Sequence, residues 1–131
     1  MSIVGVWEVH AEGAPFEYHV MTFHADGTML QSNPDHGNRT TSDSNGMGAW
    51  HADGPQVSGA FLEFTVDRKN PDAIHKGIVR FELTMRDNEF TGSATAMFYE
   101  PTGTPTRGPL TSHLTGTRFN PAIHPPTAPP P

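Results

Sequence analysis

Short runs of alternating, β-prone residues separated by glycine, asparagine and aspartate turns extend from Ile3 to Phe119. No window of about 11 residues carries the apolar stripe at spacings of three and four that an amphipathic helix needs. The pattern predicts eight strands, near 3–12, 16–24, 28–33, 47–52, 57–67, 74–86, 89–99 and 109–118. "HADGT" at 24–28, "HADGP" at 51–55 and "RDNE" at 86–89 read as tight hairpin turns whose Gly, Asn or Asp accepts positive φ. The joins at 13–15, 34–46, 68–73 and 101–109 are longer. In an up-and-down arrangement the tight turns collect at one end. The polar loops 34–46 and 101–109 then lie at the other, either framing an entrance or serving as solvated connectors. After Phe119 the run "NPAIHPPTAPPP" cannot pair in a sheet, because proline lacks the backbone donor. The expected division is therefore a folded unit over 1–119 and a Pro-rich tail over 120–131.

Alternation assigns faces on four strands, since successive side chains point to opposite sides. On 57–67 the apolar set Ala60, Leu62, Phe64 and Val66 is expected inward. On 74–86 His75, Val79, Phe81 and Leu83 share a face, with Arg80, Glu82, Thr84 and Arg86 opposite. Strand 89–99 offers Gly92, Ala94, Ala96 and Phe98, an unusually small inner wall, and 109–118 offers Leu110, Ser112, Leu114 and Arg118. Strand 16–24 stays open between Phe16, Tyr18 and Val20 on one face and His19, Met21 and Phe23 on the other. Small residues leave space, and an eight-stranded barrel is just wide enough to be filled by side chains or to hold one small ligand.

The strand count puts Trp7, on the first strand, and Arg118, on the last, at the same end, where a closing barrel pairs them. The arginine would stack over the indole and plug that end above a floor of Phe23, Trp50, Leu83 and Phe90. An open β-sandwich with Trp7 as an ordinary core residue is the alternative. Gly5-x-Trp7 with Arg118, together with the hairpin "FHADGT", resembles the lipocalin and wider calycin barrels over roughly residues 3–119. That resemblance implies an all-β fold, a single eight-stranded antiparallel up-and-down barrel around a cavity for a small molecule. The chain departs from secreted lipocalins in having no cysteine, no evident C-terminal helix and no signal-peptide pattern in "MSIVGVWEVH".

Composition narrows the functional classes. Fourteen acidic against eight basic residues leave a net charge of −6, so there is no cationic surface for phosphates and no nucleic-acid partner is expected. No apolar run of about 18 residues crosses a bilayer, so no membrane partner is expected. Absence of cysteine removes disulfides and thiolate metal sites and fits a cytoplasmic location. A homo-oligomer is left open.

Candidate chemistry is sparse. The histidines at 10, 19, 24, 36, 51, 75, 113 and 124 show no metal-binding spacing, and His24 and His51 both sit in "HADG" turns. A haem-binding barrel related to nitrobindin would use His75 as the iron ligand, but no cofactor is expected. A Ser112–His75 pair with Glu17 or Asp72 lacks any strained nucleophile elbow. The expectation is an intracellular barrel that binds one mostly apolar small molecule, with Leu62, Phe64, Val79, Phe81, Ala94, Ala96, Phe98 and Leu114 around it, and Ser112 and His19 near the mouth. The alternative is a small cyclase, isomerase or lyase that shapes a flexible substrate, with acid–base help from His75 or Tyr18.

Overall fold

The computed structural model describes residues 2–34, 40–123, 126 and 129–130. Nine strands follow in order: β1 (Gly5–Glu12), β2 (Tyr18–Phe23), β3 (Thr28–Ser32), β4 (Thr41–Asp43), β5 (Gly46–Asp53), β6 (Gln56–Asp67), β7 (Ile74–Arg86), β8 (Glu89–Tyr99) and β9 (Pro105–Arg118). Eight of them close a ring in which every neighbour is antiparallel, β1-β2-β3-β5-β6-β7-β8-β9, sealed by β1 against β9 and by β6 against β7. The fold is a closed eight-stranded antiparallel β-barrel.

The ninth strand comes out of the polar segment 34–46, expected to be a loop. Thr41, Ser42 and Asp43 pair with Asp67, Val66 and Thr65 of β6, beyond the last β5–β6 pair of Met47 with Leu62. Between them Ser44 N–H donates to the Phe64 carbonyl at 2.9 Å, and Phe64 N–H donates to Ser44 Oγ at 2.9 Å. Backbone pairing, invisible to a hydrophobicity pattern, makes this strand. For the same reason β9 begins at Pro105, within the expected 101–109 loop, and brings Thr106 and Arg107 to the barrel rim. Residues 121–123 form a single 3-10 turn in the C-terminal tail.

The tight turns have local causes. Asp26 accepts from Thr28 N–H at 2.9 Å, which folds "HADGT", and Asp87 of "RDNE" takes φ +56°, a conformation aspartate tolerates. Below them lies the closed end. Trp7, fully buried, pairs with Arg118, whose guanidinium sits 4.5 Å from the indole ring. That guanidinium donates to Asn88 Oδ1 (3.0 Å), to the Val4 carbonyl (2.8 Å) and to the Ser2 carbonyl, while Trp7 Nε1 donates to the Ile3 carbonyl at 2.8 Å. Gly5 is part of the same device: its φ is +133°, and a Cβ there would come within 2.9 Å of Arg118 Nη1. Phe23, Leu83 and Phe90 are buried above Trp7, and Trp50 packs edge-on against Phe23 at the side.

One face assignment is corrected, on β6, and the open one, on β2, is settled. On β6 the buried residues are Val57, Phe61, Glu63 and Thr65, whereas Leu62 and Phe64, expected to line the interior, point outward at 42% and 43% exposure. The inversion has a physical source in the outer wall. Leu30, Met47, Leu62, Ile78 and Met97 stand side by side in register on β3, β5, β6, β7 and β8, so each shields its neighbours laterally. Over 62–65 of β6, therefore, hydrophobicity marks the outside and polarity the inside, while Val57 and Phe61 lower down remain apolar and buried. On β2, His19, Met21 and Phe23 face inward, and Tyr18, proposed as an acid–base group, is 70% exposed on the outer wall against His10. Among the described residues no helix is long and apolar enough to cross a membrane.

Candidate functional site

The end opposite Trp7 holds a pocket of about 440 Å³. Its depth is apolar. Phe61 and Phe81, with ring centroids 6.5 Å apart, face Val9, Met21 and Leu114. The wall from β8 is low, because Ala94 and Ala96 put only methyl groups inside, opposite Ser112 and Leu110 of β9. Val79, Phe98 and His75 complete that side, with half-buried His75 at the rim beside Thr65. Of the residues expected from the sequence, His75, His19, Val79, Phe81, Ala94, Ala96, Phe98, Ser112 and Leu114 thus share one pocket, and Tyr18, Leu62 and Phe64 lie outside it. Ser112 and His75 share no hydrogen bond, and Glu17 is turned to His10 at 3.7 Å, so no nucleophilic triad is assembled.

Four polar side chains give the upper pocket its character. His19 Nε2 meets the Phe16 carbonyl, and its Nδ1 lies 2.8 Å from Gln31 Nε2. A carbonyl can only accept, so His19 carries its proton on Nε2 and leaves Nδ1 as an acceptor for the Gln31 amide. Burial holds the His19 pKa below its ordinary value against the opposing pull of the Phe16 carbonyl, with His10 lowering it further, so the ring is neutral. The second hydrogen of Gln31 Nε2 goes to Asn33 Oδ1 at 2.6 Å. This chain fixes both amides and leaves Gln31 Oε1 and Asn33 Nδ2 buried without a partner.

Glu63 is the fourth. It is 8% exposed and lines the pocket, and its carboxyl makes no hydrogen bond or ion pair among the described residues. Its pKa is pushed up to about 8, first by burial and then by the negative charge of Asp43. At neutral pH Glu63 is therefore a carboxylic acid, able to donate. Gly46 stands between Gln31 and Glu63, paired with Gln31 on β3 and next in the β5–β6 register toward Glu63. A Cβ there would lie 2.4 Å from the Phe61 ring and 3.0 Å from Gln31 Oε1. Only glycine leaves both in place.

At the rim Arg107 lies over the Phe98 ring at 4.9 Å, and Asp67 caps the β6–β7 loop by accepting from the backbone of Lys69 and Asn70. Among the described residues no three His, Asp or Glu side chains are grouped to hold a metal ion. The sequence pattern passed over Gln31 and Glu63. Gln31 was legible as the inward partner of Met29 two positions earlier, but Glu63, between Leu62 and Phe64, was not.

Known protein families, curated proteins and solved structures offer no match to this chain.

Proposed function

We propose that the protein is a binding barrel for one mostly apolar small molecule, taken with its apolar part deep in the barrel and its polar part at the mouth. The observation that carries this reading is an apolar pocket of about 440 Å³ whose upper level is lined by the polar side chains of His19, Gln31, Asn33 and Glu63. The volume falls in the range of small-molecule sites, which combine apolar walls with a few convergent polar groups. Roughly 200 Å² of ligand surface buried on Phe61, Phe81 and Leu114 would contribute about 5 kcal/mol before association costs.

The test is calorimetric titration with octan-1-ol, for the parent and for Ala94→Phe and Ala96→Phe. Phenylalanine at either position occupies the space left by the low β8 wall, so binding should be lost while near-ultraviolet circular dichroism stays that of the folded barrel. Octanol should be recovered unchanged from the complex. Equal affinity in parent and both variants would place the binding site elsewhere.

A further inference from the structure

We propose that the pocket is built for a cationic amphiphile, an apolar body bearing a protonated amine, and that Glu63 is the group that receives the ammonium. The proposal rests on the pocket being a ligand site and assigns the chemistry of the ligand's head. Two observations converge on it, the Glu63 carboxyl itself and the charges around it. Glu63 is more than nine-tenths buried, lines the pocket and has no partner among the described residues, so its hydrogen-bonding capacity is directed at whatever enters. Acceptors suit a head that only donates, and an ammonium has three donors and no acceptor.

The charges around the pocket favour the same head. Asp43 of β4, Glu63 and Asp67 of β6 face it as carboxyl groups. Opposite them stand Arg107 of β9, stacked on Phe98 at the rim, His19 of β2, held neutral, and His75 of β7. A carboxylate head brought to Glu63 would meet the negative charge of Asp43, which is of the wrong sign. An ammonium meets it with the right sign, in a setting where burial strengthens the attraction. Below the head, Phe61 and Phe81 receive the apolar body, and their π faces tolerate a cation.

Protonated Glu63 makes the assignment measurable. The acid holds its proton in the empty pocket because a lone buried carboxylate is costly; an incoming ammonium removes that cost, and the proton passes to solvent. Each amine bound at pH 7 should release close to one proton, since a group titrating at about 8 is mostly protonated there.

The experiment titrates the full chain with octylamine, octan-1-ol and octanoate at pH 7, in two buffers of different ionisation enthalpy, so that heat reports proton release. Octylamine should bind at least about tenfold more tightly than octanol, as charge-assisted hydrogen bonds exceed neutral ones, and should release about one proton. Glu63→Gln should erase both the preference and the release. Octanol bound as tightly as octylamine without proton release, or octanoate bound most tightly, would overturn the head-group assignment and leave the binding pocket standing. Failure of all three ligands would remove the pocket reading itself. The proton count on the parent protein decides the matter even if the variant misfolds.

Discussion

Replacing Glu63 by glutamine should raise stability at neutral pH, and by an amount that depends on pH in a defined way. In the unfolded chain a glutamate carboxyl titrates at its ordinary 4.5, and in the barrel it titrates at about 8. The folded state therefore holds a proton that the unfolded state gives up throughout that interval. Stability is unaffected by this group below 4.5, falls as pH rises toward 8, and is level above it. Each pH unit within the interval costs about 1.4 kcal/mol, so at pH 7 the accumulated penalty is about 3 kcal/mol. Glutamine has the shape of the protonated acid and never ionises, so Glu63→Gln keeps the native contacts of the acid form and loses the slope. Urea unfolding of both proteins at pH 4, 5, 6, 7 and 8 isolates the effect, because all other titrating groups are shared. The two should be nearly equal at pH 4 and separate steadily in favour of the variant up to pH 8. A stability difference that stays constant across that range would show that Glu63 titrates normally and is not a neutral acid in the pocket.

Three further outcomes follow from the same structure. Arg118→Ala, made in a Trp50→Phe background so that Trp7 alone reports, should cost on the order of 2 kcal/mol in urea unfolding and red-shift the indole emission, since the guanidinium over Trp7 and its bonds to the 2–4 backbone are lost together. Unchanged emission and midpoint would remove the closed-end plug from the account. Gly46→Val should cost about 1–3 kcal/mol and abolish octanol binding, because its side chain drives the Phe61 ring into the pocket; retained binding would mean that Gly46 does not shape the site. Lowering pH through the titration of Glu63, from 8.5 to 6, should weaken octylamine binding about tenfold per unit below 8 while leaving octanol unchanged, and equal pH profiles for the two would refute the coupling.

The barrel was legible because its evidence is of two kinds that agree. Hairpin turns with a definite chemistry, such as "HADGT" and "RDNE", cut the chain into strands, and Gly5, Trp7 and Arg118 say that the first and last strands meet. The small wall of Ala94 and Ala96 was legible too, since β8 alternates with small residues inside. What failed was the rule that apolar means inside. On β6 the outer row from Leu30 to Met97 gives Leu62 apolar neighbours on the surface, while the interior at that height is polar, so the pattern inverted. Strand β4 carries no hydrophobic signal because its pairing is made by backbone, and the network of His19, Gln31 and Asn33 exists only once β2 and β3 are adjacent.

The most direct test of the central claim, that the barrel takes its ligand inside and at the open end, is a map of amide and methyl NMR shifts on titration with octan-1-ol. The account predicts changes at Val79, Phe81, Ala94, Ala96 and Leu114, with Trp7 and the outer row silent. Shifts concentrated instead on Leu30, Met47, Leu62 and Ile78 would place the ligand on the outer wall and contradict it.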